Sequence, residues 1–82
     1  MHNAARKGHA KVVQLLLSAQ ATVDAADAKG RTALHHAARN DHAAAVTVLL
    51  SAHAAVGTFD AKGWTALQNA ANAGHAAVVR LL

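Results

Sequence analysis

The sequence predicts an all-α repeat solenoid: stacked helix–turn–helix units with hairpin-like turns projecting between them. Three observations predict it. Slid against itself by 33 residues, the chain is identical at slightly more than half of the aligned positions, well above what its alanine bias returns by chance. The same helix start occurs twice, at Thr32-Ala33-Leu34 and Thr65-Ala66-Leu67. Downstream of the first, Val46, Leu49 and Leu50 take the i, i+3, i+4 spacing that lines one side of a helix, and Val79 and Leu82 repeat its first two positions after the second. A period of this length marks an architecture in which each unit buries its apolar face only against its neighbours.

The period divides the 82 residues into an N-terminally truncated unit at 1–26, a full unit at 27–59 and a C-terminally truncated unit at 60–82. In the first, an alanine pair before Arg6 suits a close-packed helix, Gly8-His9 suits a turn, and Val13, Leu16 and Leu17 form the apolar stripe of a second helix. The second unit opens on Asp27-Ala-Lys-Gly30, where an aspartate at the first position of a turn bonds backbone two residues on. Thr32 is a good N-cap, because its hydroxyl accepts from the backbone N–H three residues ahead, at His35. The stretch "ALHHAARN" is then a first helix, Asp41-His42 a turn, and Val46, Leu49 and Leu50 the stripe of a second helix. The third unit repeats this from Asp60 to Gly63, with Thr65 and Gln68 at the spacing of a reciprocal capping box. "ALQNAANA", Gly74-His75 and the pair Val79 and Leu82 follow.

The starts Thr32-Ala33-Leu34-His35 and Thr65-Ala66-Leu67-Gln68, inside a 33-residue unit with Gly-His-like turns, resemble the Thr-Pro-Leu-His hallmark of the ankyrin repeat family. The resemblance covers the whole chain. It implies that His9, His42 and His75 hydrogen-bond backbone between units, and that His35, with His2 one period earlier, pairs with the helix-cap threonine. His36 and His53 have no such part. The departures point to a loosely stabilised array. Alanine at 33 and 66 forgoes the pre-organisation proline gives the first helical position. Gln20 and His53 stand where the family places glycine, at a cost on the order of 1 kcal/mol each if left-handed. Ala43, Ala44 and Ala45 thin a second helix. Met1 falls where the family's leucine would be, and Leu82 ends inside a helix. Both ends therefore read as cut, which suggests a window on a longer array or ends packed on other subunits.

Composition narrows the function. With no cysteine there is neither a disulfide framework nor a thiolate metal site, which fits an intracellular, cytoplasmic setting. No apolar run reaches the length of a membrane span, and no signal-peptide pattern opens the chain. Histidines spaced by a whole repeat lie on the order of 10 Å apart, the packing distance of helices. Zinc ligands must converge within roughly 2 Å of the ion, so neither a metal nor another cofactor is expected. Catalysis is not expected either: Glu, Cys and Tyr are absent, the aspartates serve turns, and Ser18 and Ser51 lack an evident base.

In the family, partners meet the turn tips and the exposed faces of first helices. The matching positions here that carry polar or aromatic side chains are Arg6, Lys7, Lys29, Arg31, Arg39, Asn40, Phe59, Lys62, Trp64 and Asn72. Six of the eight cations fall on this strip; only Lys11 and Arg80 lie on second helices. The chain's two aromatics, Phe59 and Trp64, flank one turn. The sequence thus points to a non-catalytic protein-interaction module, with Thr32, Leu34, His35, Thr65, Leu67, Gln68, Gly30, Gly63, His9, His42 and His75 as framework. Its partner is expected to be acidic, or to offer a pocket for an aromatic side chain. One competing role is an assembly segment docking by its ends. The other is weak nucleic-acid binding by the basic strip, for which no recognised motif is present.

Overall fold

The computed structural model describes residues 2–18 and 23–82, with the Asn3 side chain left aside. Six helices follow one another: α1 (His2–Arg6), α2 (Ala10–Ser18), α3 (Ala33–Arg39), α4 (Ala43–Ser51), α5 (Ala66–Ala73) and α6 (Ala76–Leu81), with no strand among the described residues. They form three antiparallel pairs, α1 with α2, α3 with α4 and α5 with α6. First helices stack in the order α1–α3–α5 and second helices in the order α2–α4–α6.

Local chemistry sets each boundary. Thr32 Oγ1 accepts from the His35 N–H at 3.4 Å, and His35 Nδ1 accepts from the Thr32 N–H at 3.2 Å, a capping box in which histidine takes the usual place of Glu or Gln. Thr65 and Gln68 form the same box, at 3.3 and 2.8 Å. The first helices end alike. The N–H groups of Gly8, Asp41 and Gly74 reach Ala5, Ala38 and Ala71, while those of His9, His42 and His75 reach Ala4, Ala37 and Ala70. That double closure requires a left-handed residue, and φ is 76° at Gly8, 60° at Asp41 and 76° at Gly74. Asp41 thus pays a steric cost that its glycine counterparts avoid. His53, where glycine is missing after α4, is left-handed too, with φ 62°; Gln20, its counterpart, lies outside the described residues.

The core is alanine, valine and leucine. Ala5, Ala37, Ala38 and Ala70 bring the first helices close, and Val13, Leu34, Val46, Leu49 and Val78 supply the bulk, all essentially inaccessible to solvent. Burying one such valine or leucine contributes about 1.5–3 kcal/mol.

Position in the stack, rather than residue type, decides who is buried. At the equivalent sites 12, 45 and 78, Val12 is 45% exposed while Ala45 and Val78 are sealed, so this side of a second helix faces the preceding unit. At 13, 46 and 79, Val13 and Val46 are sealed and Val79 is only half-buried, so that side faces the following one. The stripe expected at Val79 and Leu82 therefore gives way to Val78 as the buried residue of α6. Likewise Leu34 is 1% exposed and Leu67 is 41% exposed: the expected framework leucine of α5 has no described unit covering it.

Candidate functional site

The turns are built from their aspartates. Asp27 Oδ1 accepts from the N–H groups of Lys29 and Arg31, each at 2.9 Å, and Asp60 Oδ1 from those of Lys62 and Trp64 at 2.9 and 3.0 Å. Across each turn the aspartate N–H donates to the carbonyl four residues on, Arg31 at 2.9 Å and Trp64 at 2.8 Å. This is the hairpin-like closure expected from "DAKG". Gly30 is needed where it stands, because with φ 72° a Cβ there would lie 3.1 Å from the Ala61 nitrogen of the neighbouring turn.

The second carboxylate oxygen ties each turn to its helix. His36 Nε2 donates to Asp27 Oδ2 at 2.8 Å, and Asn69 Nδ2 to Asp60 Oδ2 at 3.4 Å. The sequence reading left His36 without a part. The signal was there: His36 and Asn69 are period partners, each nine residues after its aspartate, and both carry a donor. The electrostatics follow. Asp27 is lowered to about 2, chiefly by the Arg31 N–H, against opposing burial and with help from His36 and the Lys29 N–H. Burial pulls Asp60 upward, but the Trp64 N–H, Asn69 and the Lys62 N–H outweigh it and its carboxyl stays below the usual range. Burial holds His36 below an ordinary imidazole, with Asp27 pulling the other way. The ring therefore serves as a neutral donor to a carboxylate.

Adjacent units are fastened through backbone carbonyls. His35 Nδ1 is occupied as an acceptor by the cap, so Nε2 carries the proton and donates to the Trp64 carbonyl at 2.9 Å. His42 and His75 reach 36 residues back, to the carbonyls of Arg6 and Arg39 at 2.8 and 2.9 Å. The His9 side chain is exposed and makes no hydrogen bond among the described residues. His2 does not join a threonine cap but meets the Ala25 carbonyl at 2.7 Å. The Ala61 N–H donates to Lys29 at 2.9 Å, and the Ala55 N–H to Asp24 Oδ1 at 2.8 Å, linking successive turns and loops. Among the described residues no three His, Cys, Asp or Glu side chains are grouped to hold a metal ion.

Between the second and third units these turns and first helices enclose two adjoining clefts. One, of about 310 Å³, is lined by Lys29, Arg31, Arg39, Asp60, Ala61 and Lys62. The other, of about 150 Å³, shares Arg31, Arg39 and Lys62 and adds Trp64, Asn69, Asn72 and Ala73. The stacking thus gathers Lys29, Arg31, Arg39, Lys62, Trp64 and Asn72 from the expected strip. It does not gather the other four. Phe59 is 65% exposed and lines neither cleft. Asn40 closes its own helix, donating to the His36 carbonyl at 2.8 Å. Arg6 and Lys7 are exposed at the end of α1, a unit away.

Comparison with known proteins agrees with this architecture. The family description "Ankyrin repeats (3 copies)" matches residues 1–82. Among 310 matching solved chains, the human ASB11 ankyrin repeat domain superposes with a TM-score of 0.92 at 30% identity, over 98% of this chain. This chain spans 36% of that structure's length. Comparison with curated protein sequences returns no match. With the family description matching from end to end, the repeated capping boxes and the stacked helix pairs have one reading: the chain belongs to the ankyrin repeat family.

Proposed function

We propose that this chain is a non-catalytic protein-binding module whose partner, an acidic segment, lies along the turn tips and first helices of the second and third units. Ankyrin repeats are generally protein–protein interaction modules. The observation that carries the finer reading is the paired cleft, where three cations share one cleft with the chain's tryptophan and a fourth, Lys29, lines the adjoining one. Trp64 is suited to act as the anchor. It is half-buried, and its backbone is held by three hydrogen bonds, to Asp60 Oδ1, the Asp60 N–H and His35 Nε2. A ring on a fixed backbone loses little freedom when it enters a pocket, and tryptophan and arginine dominate binding hot spots. The surrounding cations speed encounter with an acidic surface and orient it.

The test is affinity capture with wild type, Trp64→Ala and a Lys11→Ala/Arg80→Ala control on the second helices, followed by calorimetry on the purified partner. Trp64→Ala is expected to lose more than about 2 kcal/mol of binding with unchanged helicity, and the control to bind normally. Equal loss in the control, or helicity lost along with binding in Trp64→Ala, would refute the assignment.

A further inference from the structure

Resting on that reading, we propose that the group seated where the two clefts join is a phosphorylated side chain of the partner, a phosphoserine, rather than a carboxylate. The junction is walled by Arg31, Arg39 and Lys62, the residues common to both clefts, while Lys29 lines the larger one alone. They come from three separate elements: the first turn, α3 and the second turn.

None of the four is in an ion pair among the described residues. The carboxylate contacts at ion-pair distance among the described residues are those of the His36 and His75 rings with Asp27 and Asp41, and neither involves these four cations. Asp60 is the one carboxylate among the described residues lining either cleft, and it accepts from the Lys62 and Trp64 backbone N–H groups and the Asn69 amide rather than from a cation's side chain. The clefts therefore carry four cationic side chains against the single negative charge of Asp60.

A planar carboxylate carries one charge and two oxygens, enough to occupy one guanidinium fork. A phosphoryl ester carries a charge of about −1.5 to −2 near neutral pH and three acceptor oxygens in a tetrahedral array. It can engage two guanidinium forks at once, and paired N–H···O bonds to phosphate are among the strongest polar contacts. Arg31 and Arg39, which line both clefts, supply two such forks. The second arm of the site, Trp64, then lies against the residues flanking the modified one.

The 82-residue protein is titrated, by fluorescence anisotropy, with three labelled degenerate peptide mixtures that differ only in a central phosphoserine, glutamate or serine. A labelled single-stranded oligonucleotide is run alongside. The phosphoserine mixture is expected to bind at least tenfold more tightly than the other two and than the oligonucleotide, to lose that advantage on phosphatase treatment, and to be displaced by inorganic phosphate. Arg31→Lys and Arg39→Lys keep the charge but remove a fork. Each is expected to cost about tenfold for phosphoserine and little for glutamate, with unchanged circular dichroism. Equal affinity for glutamate and phosphoserine overturns the phosphoryl assignment and leaves the acidic-segment reading standing. Preference for the oligonucleotide overturns both. Binding of none of the probes overturns the phosphoryl assignment, while the Trp64 capture experiment judges the broader reading independently.

Discussion

Replacing His53 by glycine should stabilise the protein, even though it removes a side chain and adds no contact. His53 sits at φ 62° immediately beyond α4, in a double closure where its N–H reaches the Leu50 carbonyl and the Ala54 N–H reaches Leu49, both at 3.0 Å. A residue bearing a Cβ pays roughly 1–2 kcal/mol in that conformation, and glycine does not. Glycine gives back roughly 0.5–1 kcal/mol through the greater freedom of its unfolded chain. The His53 side chain is exposed and makes no hydrogen bond among the described residues, so nothing else is lost. The net gain is about 0.5–1 kcal/mol, or a rise in Tm of about 2–8 °C at the usual 4–8 °C per kcal/mol for a domain of this size. Thermal unfolding followed by circular dichroism measures it, with His53→Ala as the control that keeps the Cβ. A glycine variant no more stable than the alanine variant would refute the strain argument.

Leu34→Ala should cost about 2–5 kcal/mol, because it empties a sealed site between α3 and α5, whereas its period partner Leu67→Ala should cost under about 1 kcal/mol; urea unfolding of the pair measures the difference. His35→Gln should keep the helix cap that Gln68 makes one unit later but lose the bond to the Trp64 carbonyl. The expected loss is about 0.5–1.5 kcal/mol, and His35→Ala should lose more in the same assay. Stability should fall on acidification in two stages. His36 is held below 6.5 when folded, so the unfolded chain takes up that proton first, and the ring's contribution, complete above 6.5, is lost as pH falls through its folded value. Asp27, at about 2 folded against 3.8 unfolded, adds a second loss as pH falls between those values. His36→Asn should abolish the upper stage and retain the lower, because an amide donates to the aspartate as Asn69 does; urea midpoints across both ranges test this.

Much of this fold was legible because the sequence states each device more than once. The aspartate turns, the threonine caps and the alanine pairs recur at fixed spacing, and each depends only on residues within about nine positions of one another. Strain at Asp41 was legible by the same logic, since its partners one period away are Gly8 and Gly74. What the repeat could not express is position in the stack. Val78 and Val79 are identical as residues, and only the side on which a neighbour lies makes one core and the other surface. The same holds for Leu34 against Leu67 and for His9 against His42. The candidate site divides likewise. Its cations were visible as a strip, but their convergence at Arg31, Arg39 and Lys62 follows from two units stacking. The diversion of Asn40 into capping needed the side-chain geometry.

That convergence has a consequence for how the site behaves. Among the described residues the second and third units are joined by three hydrogen bonds, from His35 to Trp64, from His75 to Arg39 and from Ala61 to Lys29. Each one ends on the backbone carbonyl of a residue that lines a cleft. The side chains that would meet a partner therefore stand on backbone pinned by the junction itself, and truncating them leaves the pins in place. Conversely, a ligand spanning the clefts grips side chains from both units and must favour the stacked state over the separated one. Saturating binding at a hundredfold excess over Kd contributes about 2.7 kcal/mol to folding. In an array whose α4 begins with three alanines, such a contribution would weigh heavily. Partner affinity and junction stability are accordingly one coupled quantity, and a variant that loosens the junction, such as His35→Ala, should weaken binding without touching a single cleft side chain.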